Sequence, residues 1–191
     1  SLSSLQLGYA HSILTRSEEI AHIWEVRKAG LGLLLSKRDY SRAIAFIEDI
    51  SIAPEKLANF LKEFCDYLKS IGKEAGIYGH VGSGCMHIRP YIDLRKKEEL
   101  QLMKEILERV SEMVQRYGGA MSGEHGDGLV RSWLNEKMFG KDLYEAFIKL
   151  KQAFDPENLM NPGKIIAGSP LTENLRLSPE TPDHPISTFL D

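Results

Sequence analysis

The chain has 191 residues, 42 % of them hydrophobic, and a formal net charge of −3. That length suits one domain, or one domain with a tail, and the apolar content can fill a core. The weak negative charge argues against nucleic acid or an anionic membrane surface as partner, and no apolar run approaches the roughly 18 residues that span a bilayer. The start, Ser1-Leu2-Ser3-Ser4-Leu5-Gln6, lacks both a secretory signal pattern and a methionine, so the chain is expected to be a piece of a longer protein.

Residues 1–14 read as a lead-in. Thr15-Arg16-Ser17-Glu18 reads as a capping box, followed by Ile20, Ile23, Trp24 and Arg27 on one helical face. Gly30 and Gly32 predict that this helix ends or loosens there. Ala43–Ile47 predicts a short strand closed by Glu48-Asp49. Pro54 opens a helix with Leu57, Phe60, Leu61, Phe64, Leu68 and Ile71 at helical spacing, and Gly72 stops it. Cys65 falls on an apolar face of this helix and reads as a buried, inert thiol. With Cys85 as the only other cysteine, the pattern suits a reducing compartment.

Ala75–Gly82 and Cys85–Tyr91 read as a hairpin turning at Ser83-Gly84. A long helix follows, with Leu100, Met103, Ile106, Val110, Met113, Val114 and Tyr117 on its buried stripe and Gly118-Gly119 as its stop. Ala120-Met121-Ser122 predicts a last, weak strand. Arg131–Phe139 predicts a helix, and Leu143, Phe147, Leu150 and Phe154 mark another, ended by Asp155-Pro156. From Ala43 the order is strand, helix, strand, strand, helix, strand. That is an α+β, ferredoxin-like arrangement: an antiparallel sheet with helices on one face, plus additional helices. The main domain is expected over 15–168. Residues 169–191 hold four of the eight prolines and read as an irregular linker or tail.

The chemistry concentrates in Gly79-His80-Val81-Gly82-Ser83-Gly84-Cys85-Met86-His87 and Gly123-Glu124-His125-Gly126-Asp127-Gly128, which hold three of the six histidines. With a two-residue turn, His80 lies directly opposite His87 on one face, with Arg89 on the same face. Opposed Cβ atoms stand about 4.5–5.5 Å apart, so both imidazoles reach one metal. Glu124 offers a third ligand from the loop after the last strand. Two histidines and one carboxylate leave positions open for substrate, as in a catalytic site. His125, pointing away from Glu124, is the candidate general base. The Gly-rich loops also suggest phosphate cradling, but no strand–glycine loop–helix fingerprint is present and no Lys-Ser or Lys-Thr follows the loop. A metal-dependent hydrolase and a non-catalytic docking module stay open as alternatives on these residues alone.

Gly79-His80-x-Gly82-x-Gly84-x-x-His87, Gly123-Glu124-His125-Gly126 and Asn161-Pro162-Gly163-Lys164-Ile165 resemble the C-terminal substrate domain of FAD-linked oxidases, the vanillyl-alcohol oxidase type of flavoprotein. The similarity is to the branch of D-lactate, glycolate and D-2-hydroxyglutarate dehydrogenases, and Trp24-x-x-Arg27 resembles a further motif of it. The resemblance implies that His80, His87 and Glu124 bind a divalent cation, usually zinc. It implies that His125 removes the hydroxyl proton, Arg27 binds the substrate carboxylate, and Asn161 lies near the flavin. Arg89 stands where many relatives carry Asn, and suits a second carboxylate. Ser83, Cys85 and Met86 depart from the usual Gly-His-x-Gly-Asp-Gly-Asn-Leu-His. Arg27-Lys28-Ala29-Gly30 and Cys85–Pro90 look most like the bacterial subgroup whose chain continues into an iron–sulfur domain. The implied partners are the protein's own flavin-binding domain, such an iron–sulfur domain, and a small hydroxy acid. The implied location is cytoplasmic, with peripheral contact at the inner face of a bacterial membrane as the alternative. Because FAD is held mostly by the flavin domain, this segment alone is expected to show no turnover.

Overall fold

A computed structural model describes residues 10–36 and 39–182. Residues 1–9 of the expected lead-in over 1–14, and 183–191 of the expected tail, lie outside them. The chain divides into two compact units, Ser1–Arg38 and Asp39–Asp191.

The first unit holds one helix, α1 (Ser17–Leu35), with no buried residue. The expected capping box does not form. Arg16 stands at the N-cap without a side-chain cap bond, and its guanidinium pairs with Glu19 at 2.5 Å. Gly30 and Gly32 do not end the helix. A glycine inside a helix costs only about 1 kcal/mol against alanine, which weakens the helix without ending it.

In the second unit the elements are β1 (Arg42–Ala43), β2 (Ile50–Ser51), α2 (Pro54–Ser70), β3 (Ala75–His80), β4 (Cys85–Ile92), α3 (Lys97–Tyr117), α4 (Gly128–Arg131), α5 (Asn135–Phe139) and α6 (Lys141–Phe154). The long strand β4 pairs antiparallel with β3 along one edge and with β1 and β2 along the other. Ala120 makes an antiparallel bridge to Ser51. This is the expected α+β arrangement, with the order Ala120, β1/β2, β4, β3. The last strand shrinks to that single bridge.

The expected strand over Ala43–Ile47 is instead split. Arg42 pairs with Ile92 and Ile50 with Met86, so the outer strand spends eight steps against six on β4. The two surplus residues form a bulge over 44–49. Bulges bend the strand and re-aim side chains. Here Phe46 and Ile47 turn fully into the core, while Glu48 and Asp49 turn toward the opposite face of the sheet, and Asp49 takes a left-handed φ of 84°.

Strand alternation sorts β4 into two faces. Met86, Ile88 and Ile92 join Phe60 and Phe64 of α2 and Ile106, Val110 and Met113 of α3 in the core. Cys85, His87 and Arg89 point the other way. The predicted stripes of α2 and α3 are thus the core face. Cys65 is exposed, not buried: the stripe of Leu57, Phe60, Phe64 and Leu68 leaves it on the water side. The single helix expected over 131–139 is broken into α4, a 3-10 turn at Ser132–Leu134 and α5. The described part of the tail is irregular, yet Leu171 is buried in the core.

Candidate metal centre

The hairpin turns through a 3-10 turn, Val81–Ser83, and Gly84 at φ 73°. It is therefore two residues longer than the expected turn. His80 lies opposite Cys85, and Tyr78 lies opposite His87. A shift of one residue would have sent the histidines to opposite faces; a shift of two keeps them on the same face as diagonal neighbours. Their rings meet edge to face at 5.3 Å.

Glu124 arrives from the loop after the Ala120 bridge, as expected. Its Oε1 lies 3.5 Å from His80 Nε2, 3.2 Å from His87 Nε2 and 3.4 Å from His125 Nε2. His125 does not point elsewhere: its ring stacks on His87 at 5.1 Å, with 5° between the planes. Four side chains from two distant motifs thus converge. Asp49, His87, Glu124 and His125 each offer one potential ligand atom, all within 4.8 Å of one another.

The donor chemistry suits a zinc-type cation. Nitrogen and oxygen ligands bind at about 2.0–2.1 Å, so tetrahedral neighbours stand about 3.3 Å apart, close to the separations of 3.2 and 3.5 Å from Glu124 to His87 and His80. His87 is buried, and that burial pushes its pKa below the ordinary value despite the opposing field of Glu48. A neutral imidazole has a free lone pair to give.

Sequence reasoning missed the groups beneath. Asp49 accepts hydrogen bonds from the Ser122 hydroxyl at 2.7 Å, the His125 amide at 2.7 Å and the Glu124 amide at 3.0 Å. Burial disfavours its ionised form, but these donors together outweigh burial and hold its carboxyl below the ordinary range. Glu48 pairs with Arg89 at 2.7 Å and stands 4.0 Å from His87 Nδ1. Arg131, also buried, donates to the carbonyls of Glu48 at 2.7 Å and Gly126 at 2.6 Å. The available signal was weak: two adjacent carboxylates closing an apolar run. Cys85 faces Asp49, and burial, reinforced by that carboxylate, pushes its thiol up to about 11.

Two further expected residues are placed as follows. Arg27 is on α1 in the first unit. Asn161, at φ 48°, lines a cavity of about 670 Å³ with Gly126, Phe147, Leu150, Phe154 and Ile165.

A ferredoxin-like α+β sheet carrying a histidine–carboxylate cluster beside its hairpin defines a domain with a candidate metal centre. Residues 4–165 match the family of FAD linked oxidases, C-terminal domain, and the chain belongs to that family. It is 41 % identical over 159 residues to D-2-hydroxyglutarate dehydrogenase of Haemophilus influenzae, covering 83 % of this chain and 15 % of that protein. It is 38 % identical over 155 residues to the D-2-hydroxyglutarate dehydrogenase of Pseudomonas putida, covering 81 % and 15 %. With glycolate oxidase subunit GlcD of Bacillus subtilis it shares 30 % over 162 residues, covering 84 % and 34 %. The chain thus spans 15 % of the length of the first two relatives. Among the described residues no helix is long and apolar enough to cross a membrane.

Proposed function

We propose that this chain is the substrate-side part of a flavin-dependent dehydrogenase that oxidises a D-2-hydroxy acid to the 2-oxo acid. The observation that carries the reading is the set of imidazole nitrogens gathered around one oxygen of Glu124. Two electrons and a proton leave Cα as hydride, and the hydroxyl proton leaves separately. His80, His87 and Glu124 would hold a divalent cation, zinc by donor type, which would supply Lewis-acid polarisation of the hydroxyl oxygen. His80 takes this role rather than Asp49, because both oxygens of Asp49 are engaged by N–H and O–H donors. FAD, held mostly by residues outside 15–168, would supply the hydride acceptor when bound, with Asn161 on its side of the domain.

His125 accepts the hydroxyl proton at an imidazole nitrogen. Its ring is half exposed, so the proton can pass on to water. Arg27 binds the substrate carboxylate. Arg89 assists in that role, its guanidinium held in place by Glu48 at 2.7 Å. The segment 169–191 leads toward an iron–sulfur domain that takes the electrons onward, in a cytoplasmic protein, with peripheral contact at the inner face of a membrane as the alternative. The sequence similarity to D-2-hydroxyglutarate dehydrogenases supports a dicarboxylate hydroxy acid as substrate.

The test is calorimetric titration of the full-length protein with Zn²⁺. Partners that merely orient a ligand cost about 10–100-fold in affinity when lost, so removing a ligand by Glu124→Gln costs more than about 100-fold. Undiminished binding by that variant, or no binding by the natural protein, overturns the metal assignment. Flavin reduction by D-2-hydroxyglutarate in His125→Ala falls about 100-fold or more if His125 is the base.

A further inference from the structure

We propose that Asp49 and Arg131 are positioning residues that clamp the Glu124–His125 loop from both ends and set where its side chains point. For its meaning in catalysis the proposal rests on the metal site above. The loop needs such help. Glu124 and His125 are exposed and flanked by Gly123 and Gly126, and a site residue has to be held within about 0.5 Å to act.

The clamp is built on the bulge between β1 and β2. Asp49 is completely buried. Its carboxylate takes the consecutive amides of Glu124 at 3.0 Å and His125 at 2.7 Å, and the Ser122 hydroxyl at 2.7 Å. Its own carbonyl takes the Gly123 amide at 2.7 Å. Four consecutive residues of the loop therefore hang from one aspartate. The other end is held by Arg131, which forks between the carbonyl of Glu48 and that of Gly126. The Asp49 carboxylate also offsets part of the cost of burying the Arg131 charge. A carboxylate is needed because every group facing it is a donor. An Asn amide would turn its own N–H toward one of them, leaving two donors opposed.

This role differs from that of a ligand in what it controls. A ligand acts only when the metal is present, whereas the clamp holds the loop without it. The experiment is therefore amide hydrogen exchange on the metal-free, full-length protein, followed by Zn²⁺ titration of the same samples. In Asp49→Asn the amides of Glu124 and His125 exchange more than about 10-fold faster while those of Ile88 and Ile106 in the core keep their natural rates, and Zn²⁺ affinity falls about 10–100-fold. In the control His87→Ala, Zn²⁺ affinity falls but exchange at Glu124 and His125 stays as in the natural protein. Natural exchange rates at Glu124 and His125 in a folded Asp49→Asn overturn the proposal, and if affinity still falls, Asp49 is a ligand. If Asp49→Asn loses core protection as well, Arg131→Lys decides. It keeps the charge but not the fork, and it must speed exchange at Glu124 and His125. Should the natural protein bind no Zn²⁺, the metal reading fails while the exchange result still decides the clamp.

Discussion

Gly84 is the position where one added carbon is most damaging to the hairpin that carries His80 and His87. It sits at φ 73°, and an ideal Cβ there would stand 1.8 Å from the carbonyl oxygen of Ile52. That oxygen belongs to backbone at the end of the outer strand, so no side chain can swing aside. The Ile52 amide donates to the Gly84 carbonyl at 3.0 Å, and separating the two segments gives up this bond. Alanine in the left-handed region costs about 1–2 kcal/mol, and the lost bond about 1 kcal/mol. The sum, about 2–3 kcal/mol, lowers the melting temperature of a domain this size by roughly 4–12 °C. Two glycines calibrate the argument. Gly72 has φ 66° but open space around its missing Cβ, and Gly82 has open space and no left-handed φ. Thermal unfolding followed by circular dichroism should rank the alanine variants Gly84 lowest, Gly72 between, and Gly82 within about 0.5 kcal/mol of the natural protein. If Gly84→Ala melts with Gly82→Ala, the hairpin is not seated on the Ile52 carbonyl and the placement of both histidines is wrong.

Two further outcomes follow from burial and charge. Iodoacetamide should modify Cys65 quickly and Cys85 only on unfolding, because Cys65 is exposed while Cys85 is buried with its thiol pushed up to about 11. Mass spectrometry of tryptic peptides reads this directly, and equal rates in the folded protein would refute the burial of Cys85. Asp155, at the end of α6, accepts from Lys151 and from the amides of Leu159 and Met160 at 2.9 Å each, which hold its carboxyl below the ordinary value. A depressed folded-state pKa stabilises at all pH above the unfolded value of about 3.9, and this contribution is lost as pH falls through the folded one. Asp155→Asn should therefore lower the urea midpoint at pH 7 and lower it progressively less as pH drops below about 4. An unchanged difference down to pH 2.5 would mean the carboxylate charge plays no part.

The helices α2, α3 and α6 could be read from the chain because apolar spacing at 3.6 residues is a local property, visible within each segment. So could the histidines and Glu124, since glycine-wrapped ionisable residues make poor core and stand out in any composition. The order of elements also sufficed for the ferredoxin-like sheet. The hairpin register could not be read, because it depends on whether the turn spends two residues or four, and Gly84 resolves that only by fitting against Ile52. Cys65 was misplaced because only the packing against α3 says how wide the buried stripe of α2 is.

The supporting carboxylates were the least legible of all. Glu48 and Asp49 look like the polar end of a strand, and nothing nearby in sequence asks for them. Their partners are His87, Arg89, Ser122, Glu124, His125 and Arg131, all distant along the chain. Residue type and local spacing determine which groups can bind and where helices form. Which face a bulge presents, and which donors a buried acid meets there, is decided only when the strands pair, because those contacts do not exist in any single segment.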